Sequence, residues 1–414
     1  MNPLFARSDG TVLDLPALRA GADDGLIAPA HQRDFIPLPE GSLLLTLPGR
    51  SVVGFNASRR SVVGEIDGSE VDAVAAALPL GYTRTLLPAY VERAGAPPLP
   101  LYGYAAVAWD GRHICVGATR TDALETWSPE AHATDIVRAG IEARRREFPT
   151  SGLIRQLALC ATEYGCFTAQ NVFLRSGEAA IPVSPACNAK CIGCISEQEP
   201  DARIQSAQTR VRVAPTVDEI VAVAVAHLTA APDGIVSFGQ GCEGEPLLAA
   251  PLVARAIKGI RASTSAGTIH INTNASRPRA LEQLLYAGLT SVRVSLNSAR
   301  PDVYAAYYRP KGYSLADVAE SMRVGGDHDA SISLNLLTHP GVTDDPDEME
   351  AFANMLRAYP ISMVQTRTLN VDPAVYFAAV GRPRKKPIGM RNWIGWLARE
   401  FPKLRIGNFT RGFG

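Results

Sequence analysis

Several features that would assign a protein to other classes are missing from this chain of 414 residues. Lys and Arg number 41, as do Asp and Glu, so the formal net charge is zero and a broad nucleic-acid-binding face is not expected. No apolar run reaches membrane-spanning length. The first residues lack the charged and apolar regions of a signal peptide, and the cysteines are clustered. We therefore expect a cytoplasmic protein without a membrane partner.

The most informative of the seven cysteines form one motif, C-x3-C-x2-C, at Cys187, Cys191 and Cys194. Three thiolates on a short loop can bind three irons of a [4Fe–4S] cube and leave the fourth iron open to a ligand. A structural zinc site is the alternative. Zinc usually takes four closed ligands, often from two cysteine pairs, and no second pair follows Cys194. The next cysteine, Cys242, is alone and is the last in the chain.

The other cysteines leave two interpretations open. Cys160, Cys166 and Cys242 could form a second metal site or supply a redox-active thiol, or they could be ordinary buried thiols. The catalytic residues are not identified by any motif. The candidates are Cys242, together with Tyr164 and Glu163, which lie between the first two of these cysteines and could face the active site.

The first 150 residues are mixed in pattern and rich in strand formers, which predicts an N-terminal α+β domain with a substrate-binding or lid role. Two hairpins are expected, around Pro48-Gly49 and around Asp110-Gly111, because such pairs provide the positive φ angles of tight turns. A helix is expected over 123–148. Residues 151–179 would connect this domain to the next.

From residue 180 onward, strand-like and helix-like segments alternate, which predicts a parallel sheet built from β–α units. Capping boxes at Thr216 and Ser314 predict two of the helix starts. In such barrels the chemistry lies at the carboxyl ends of the strands, and the cysteine motif directly follows the first strand. The expected strands cover 180–184, 234–238, 268–273, 291–296, 331–337 and 363–369. A helical extension is expected over 376–414.

The order of these features resembles the radical SAM superfamily over residues 180–375. The resemblance implies an α/β fold: a partial (β/α)6 TIM-like barrel of radical SAM type, preceded by the N-terminal α+β domain. It also implies that Cys187, Cys191 and Cys194 hold a [4Fe–4S] cluster whose open iron is chelated by S-adenosylmethionine. The position before the third cysteine is commonly aromatic in the family, whereas here it is Gly193.

Further residues match the elements that bind S-adenosylmethionine in that family. The segment around Gly244-Glu245-Pro246 is similar to a Gly-Gly-Glu-Pro element that binds the methionine amino group. Glu243 replaces its first glycine, so either glutamate could be the contact. Polar residues near the ends of the next two strands, and an arginine that could meet a carboxylate, complete the set. The implied cofactor-binding residues are Gly244, Glu245, Glu243, Gln240, Asn274, Ser295, Asn297 and Arg309.

The resemblance implies an enzyme that cleaves S-adenosylmethionine reductively to a 5′-deoxyadenosyl radical, which abstracts hydrogen from a substrate. An external one-electron donor such as flavodoxin or ferredoxin would be its partner. The absence of cysteine after Cys242 argues against C-terminal auxiliary-cluster domains and against the RNA-adenine methylating branch. As the substrate, a peptide or protein is slightly favoured over a small metabolite. The alternative function is a non-catalytic iron–sulfur or zinc protein with a redox or interaction role.

Overall fold

The computed structural model describes residues 1–123, 127–200, 202 and 204–412. Short antiparallel strands occupy the first 120 residues, with one 3-10 turn at Gln32–Asp34 between them. The strands are β1 Asn2–Ala6, β2 Val12–Asp14, β3 Arg19–Asp23, β4 Ile27–Pro29, β5 Ile36–Pro37, β6 Leu43–Leu47, β7 Arg50–Asn56, β8 Arg59–Val63, β9 Glu65–Ile66, β10 Ser69–Glu70, β11 Asp72–Ala77, β12 Tyr82–Arg84, β13 Leu87–Pro88, β14 Tyr90–Glu92, β15 Ala105–Trp109, β16 Ile114–Val116 and β17 Ala118–Arg120.

Two larger sheets form most of this N-terminal part. One has the order β2-β1-β11-β15-β16-β5 with β6 beside β11, and the other has the order β13-β3-β7-β14 with β4 and β8 attached. Strand β11 is buried on both faces. Val74 and Ala76 pack into one apolar cluster, whereas Ala73 and Ala75 pack into another. This follows from the alternation of side chains along a strand, and the small residues let both layers approach closely.

The predicted hairpin around Pro48-Gly49 is wrong. Strand β6 pairs with β11, whereas β7 pairs with β3, β8 and β14, so the chain crosses from one sheet to the other at this corner. The reason is Arg50, which is fully buried and donates to the carbonyls of Pro48 and Pro97. These contacts fix the corner and hold the start of β7 away from β6.

The second predicted hairpin is confirmed, because β15 and β16 pair with Trp109 opposite Ile114. The helix predicted from residue 123 begins later, at Thr134, and Ala123 is not helical. Residues 124–126 of that prediction lie outside the described residues. Pro129 lacks an N–H and would interrupt an α-helix, and a short 3-10 turn, Glu130–His132, follows it.

The rest of the described chain begins with three consecutive helices. Parallel strands with helices between them follow, and a 3-10 turn lies at Pro246–Ala249. The helices are α1 Thr134–Glu147, α2 Gly152–Thr162, α3 Phe167–Leu174, α4 Val217–Ala230, α5 Ala250–Ser263, α6 Pro278–Ala287, α7 Pro301–Tyr308, α8 Leu315–Asp327, α9 Pro346–Ala358, α10 Pro373–Val380 and α11 Met390–Glu400. The strands are β18 Glu178–Ile181, β19 Ile235–Phe238, β20 Thr268–Thr273, β21 Ser291–Leu296, β22 Ser331–Thr338, β23 Ile361–Thr368 and β24 Arg405–Gly407.

The parallel strands run in sequence order from β18 to β24, which confirms the predicted fold class. The six predicted strands are present with small shifts at their ends, and both capping boxes form at Thr216 and Ser314. Strand β24, beside β23, was not predicted. It has three residues and no apolar run, so its pairing depends on the sheet that is already there.

The N-terminal sheets pack over the carboxyl ends of β22 and β23. Arg84 donates to the carbonyl oxygens of Thr338, the last residue of β22, and of Leu369, which directly follows β23. Arg50 forms a buried ion pair with Asp372, 3.0 Å long, just beyond β23. The first 120 residues therefore cover one side of the edge at which barrels of this kind carry their chemistry.

Candidate functional site

The three motif cysteines lie on the loop that follows β18, and each is partly exposed. The end of α7 holds this loop through backbone bonds. Lys190 N donates to Tyr308 O (3.0 Å) and Ile192 N donates to Tyr307 O (3.1 Å). Burial raises the pKa of the Cys191 thiol, and the other two cysteines add to this effect. A cationic partner would therefore favour their thiolate forms.

Gly193 has no space for a side chain. A Cβ at this position would lie 2.8 Å from Tyr307 Oη and 3.0 Å from the carbonyl oxygen of Asn370. Tyr307, which is buried, thus occupies the space beside the cysteine loop that an aromatic residue at position 193 would need. The family commonly has an aromatic residue at this position. In this chain the position is Gly193, and the aromatic ring beside it comes from Tyr307 in α7.

Glu243 connects the cysteine loop to the turn after β19. One of its carboxylate oxygens accepts from Val183 N and Ser184 N, both at 2.7 Å. The other accepts from Gly239 N (2.8 Å) and Gln240 N (2.7 Å). Burial raises the pKa of Glu243 to about 7, although these four N–H groups act in the opposite direction. All four acceptor positions of the carboxylate are occupied.

Glu245 is equally buried, but it accepts fewer hydrogen bonds. Thr273 Oγ1 (2.5 Å) and Leu247 N (3.0 Å) donate to one oxygen, and Asn274 N (2.7 Å) donates to the other. Burial raises the pKa of Glu245 to about 7 as well. The carboxylate is close enough to Cys187 to raise the pKa of that thiol, although burial is the larger cause.

The turn that carries Glu245 touches the cysteine loop directly. Gly244 N donates to Ser184 O, and Glu245 N donates to Ala186 O at 2.8 Å. A Cβ on Gly244 would lie 2.0 Å from Ala186 O, so only glycine fits. Asn274 also meets the loop, because its Nδ2 donates to Asn188 Oδ1 (2.9 Å).

Two other predicted cofactor-binding residues, Gln240 and Ser295, bind neighbours outside the cysteine loop or face the barrel interior. Gln240 binds Ser237 and accepts from Thr168 Oγ1. Ser295 lies on the same face of β21 as Arg293, which reaches across the barrel interior to Gln365 on β23.

Two predicted residues lie outside this group. Asn297 is buried, and its Nδ2 donates to Val303 O and Tyr376 Oη, so it joins α7 to α10. Arg309 is exposed at the end of α7 and lines a surface cavity of about 950 Å³ together with Lys190 and Lys311. The structure therefore does not bring Arg309 and Asn297 together with Glu245.

The candidate catalytic residues do not gather around the cysteine loop. Glu163 is exposed at the end of α2, and Tyr164 Oη accepts from Thr209 N (3.2 Å). Cys242 is buried against Cys160, and this hydrogen-bonded neighbour together with burial raises the pKa of the Cys242 thiol. Cys166 contacts Thr168 Oγ1 instead.

No group of three or more His, Cys, Asp or Glu side chains in the described part of the chain is arranged around a single metal ion. Cys160, Cys166 and Cys242 therefore do not form a second site of that kind. The motif cysteines are likewise not gathered around one ion, as a zinc site would require. In a four-iron cube each thiolate binds a different iron, so the open loop is compatible with a cluster.

Arg210 and Gln198 also contact the cysteine loop, and neither was indicated by the sequence. Arg210 Nη2 donates to Cys194 Sγ at 3.3 Å. Gln198 Nε2 donates to Cys194 O (2.6 Å) and Ile192 O (3.1 Å). Both lie in irregular segments without periodicity or motif, so no local signal could have identified them.

Residues 181–355 match the family model described as "Radical SAM superfamily". These residues are a radical SAM domain. The predicted family is confirmed, and the protein is a radical SAM enzyme whose cofactors are a [4Fe–4S] cluster and S-adenosylmethionine. A search of curated protein sequences found no match.

Similar solved structures are distant from this radical SAM enzyme. Methylornithine synthase is 16% identical, with 66% of this chain and 78% of that chain covered and a TM-score of 0.41. A radical SAM methyltransferase from Sphaerobacter thermophilus is 18% identical, with 55% and 65% covered and a TM-score of 0.39. A spore photoproduct lyase is 15% identical, with 63% and 96% covered and a TM-score of 0.39.

None of the described helices combines the length and the apolar character needed to cross a bilayer.

Proposed function

We propose that Cys187, Cys191 and Cys194 bind the [4Fe–4S] cluster and that S-adenosylmethionine lies between this loop and the Gly244-Glu245 turn. The observation that carries the proposal is the direct contact of the two loops, in which Gly244 packs on the carbonyl of Ala186. When bound there and reduced, the cofactors would supply a 5′-deoxyadenosyl radical able to remove hydrogen from the substrate. The protein positions the cofactor and excludes competing hydrogen donors.

Glu245, rather than Glu243, is proposed to bind the amino group of S-adenosylmethionine. Glu243 has no acceptor position left, because four backbone N–H groups occupy its carboxylate. Glu245 accepts three hydrogen bonds and retains one position on the oxygen that faces Asn274 N. An ammonium group there would also stabilise the ionised form of this buried carboxylate.

Gly244, Asn274, Gln240 and Ser295 complete the proposed cofactor set. Asn274 lies against the cysteine loop, and Ser295 faces the barrel interior. Arg309 belongs to the exposed surface instead, and Asn297 supports α7 and α10.

The proposed substrate is a peptide or protein, with the N-terminal sheets as the cover of the barrel mouth. Two cavities, of about 730 and 950 Å³, share Glu197 and Gln198 in their walls, and the larger one is also lined by Cys191. Cavities of this size accommodate several side chains. An external one-electron donor such as flavodoxin or ferredoxin would reduce the cluster, and a cytoplasmic location stays a prediction from the sequence.

The first experiment reconstitutes the protein anaerobically with iron and sulfide. About four irons per chain are expected from the cluster type, and dithionite with S-adenosylmethionine should yield 5′-deoxyadenosine. Replacing Cys191 by alanine should abolish both. A loaded, reduced cluster that yields no 5′-deoxyadenosine, with or without candidate peptides, would contradict the proposal. A cluster bound by four protein residues would favour the non-catalytic redox alternative.

A second experiment tests whether Glu245 binds S-adenosylmethionine. Glu245→Gln should weaken binding of S-adenosylmethionine at least tenfold, because the amide cannot neutralise the ammonium group. Glu163→Gln, which removes an exposed carboxylate, is the control and should bind normally. Equal binding by Glu245→Gln and the wild type would remove Glu245 from the site. Binding is measured by calorimetry on reconstituted protein.

A further inference from the structure

We propose that Arg210 sets the reduction potential of the cluster by donating a hydrogen bond to the sulfur of Cys194. This inference rests on the cluster being bound as proposed above. Arg210 is a positioning and tuning residue here, since it acts through a cluster ligand. Its effect would make the cluster easier to reduce.

The guanidinium group of Arg210 is fixed on three sides. Its Nη2 donates to Cys194 Sγ (3.3 Å), its Nε donates to Ser196 Oγ (3.2 Å), and its Nη1 forms an ion pair with Glu197. The Arg210 side chain is only 11% exposed, whereas that of Glu197 is 65% exposed. The planar fork of an arginine keeps this orientation when several of its N–H groups are bound.

The backbone around Arg210 is fixed as well. Val211 N donates to Cys242 O (2.8 Å), and Gln208 N donates to Ile195 O (2.9 Å). The segment is thus attached both to the turn after β19 and to the end of the cysteine loop. These bonds hold the backbone of Arg210 beside the cysteine loop, with its side chain within reach of Cys194.

The charges near the motif cysteines make Arg210 distinctive. Among the described residues, Arg210 is the one cation that hydrogen-bonds to a motif cysteine. Lys190 lies on the same loop but forms an ion pair with Glu199, and its side chain is 43% exposed. The nearby acids are Glu245, which is hydrogen-bonded and buried, and Glu197, which faces solvent.

Reduction by one electron makes the cluster more negative, and the electron donor is oxidised by the same one electron. No covalent bond in the protein forms or breaks. A cation and an N–H donor at a ligating sulfur stabilise the reduced cluster more than the oxidised one, so they raise the potential. Contacts of this kind are established means of tuning metal centres.

The test is a potentiometric titration of the reconstituted protein, followed by electron paramagnetic resonance. In Arg210→Gln, the ratio of reduced to oxidised cluster at a fixed potential should fall at least tenfold, which corresponds to 59 mV for a one-electron couple. Glu197→Gln removes the opposing negative charge but leaves the donor, so its potential should rise. Arg210→Lys should lie between the wild type and Arg210→Gln. Lys190→Gln has the same change of net charge and should shift the potential least.

The outcomes separate this inference from the proposed function. Iron content is measured for every variant, so that loss of the cluster is not mistaken for a shift of potential. An unchanged potential in fully loaded Arg210→Gln would overturn the inference, as would shifts of the same sign in Arg210→Gln and Glu197→Gln. Failure of the wild-type protein to assemble a cluster would instead overturn the proposed function.

Discussion

Single residues around the cysteine loop are selected by the space and the hydrogen bonds that remain for them. Gly244 is required because the carbonyl of Ala186 lies where its Cβ would be. Glu243 and Glu245 are separated by one residue in the same turn, yet they differ in how many acceptor positions are free. The sequence could identify both as candidates. It could not distinguish them, because most of their partners lie at or just beyond the carboxyl ends of β18, β19 and β20.

The contact between Gly193 and Tyr307 can be tested with a double-mutant cycle. Gly193→Ala should lower the free energy of unfolding by about 1–3 kcal/mol, because a Cβ would overlap Tyr307 Oη. Tyr307→Phe removes that oxygen, so the double variant should be more stable than the sum of the single effects predicts. Denaturant unfolding of the metal-free protein measures all four proteins. Additive effects would mean that Tyr307 does not restrict position 193.

Among the helices and strands, the sequence predicted those whose ends carry a capping box or a tight-turn pair. Thr216 and Ser314 have acidic residues three positions later, and both helices begin there. The Asp110 hairpin was also predicted. The corner at Pro48 carries the same kind of turn signal, but buried Arg50 directs the chain into another sheet. A local pattern cannot include that contact.

The turn after β19 should be the element that is least tolerant of change. Gly239 has a φ of +78°, and a Cβ there would lie 1.7 Å from Asn272 O. Gly239→Ala should therefore destabilise the protein by more than about 2 kcal/mol, from backbone strain and from displacement of β20. Gly312→Ala is the matched control. It has a φ of +72° but no atom within 4 Å of the Cβ, so it should cost about 1 kcal/mol.

Thermal and denaturant unfolding measures the stability of both glycine variants. Gly312→Ala reports backbone strain alone, whereas Gly239→Ala reports strain together with the overlap with Asn272 O. Similar losses of stability in both would show that the contact with Asn272 O is relieved at little cost.

For the whole molecule, we expect stability to depend most on the contacts that attach the N-terminal sheets to the barrel. Asp372 accepts from Arg50 Nη2 and from Leu99 N, and it also caps α10. Asp372→Asn should cost about 3–5 kcal/mol, because it removes the buried counter-charge of Arg50 and leaves only the half-exposed one. Glu92→Gln removes the other, 45% exposed partner of Arg50 and should cost about 1 kcal/mol or less.

Limited proteolysis and denaturant unfolding would report this difference. If both variants lost the same stability, the buried pair would not be what attaches the two parts of the chain.

Stability should also depend on pH through Asp344, which lies fully buried in the loop after β22. Burial raises the pKa of Asp344 to about 7, and Asp24 from the N-terminal part adds to the shift. The folded state then binds a proton more tightly than the unfolded state. The contribution to stability is present below the unfolded pKa, near 4, and is lost as the pH rises through 7.

Between pH 5 and pH 8 the wild type should therefore lose stability relative to Asp344→Asn, by on the order of 2–3 kcal/mol. Urea unfolding at several pH values measures the difference. Asp233→Asn, at an exposed position, is the control and should follow the wild type. A parallel pH dependence of Asp344→Asn and the wild type would contradict the prediction.

The sequence by itself determined the family, the order of strands and helices and the three motif cysteines, because these depend on spacing within short segments. The tertiary structure decided which glutamate has a free acceptor position, why Gly193 lacks a side chain and which cation meets Cys194. It also decided how the N-terminal sheets attach to the barrel. These contacts join residues that are distant in the chain, such as Arg50 and Asp372, and the packing of the whole fold brings them together.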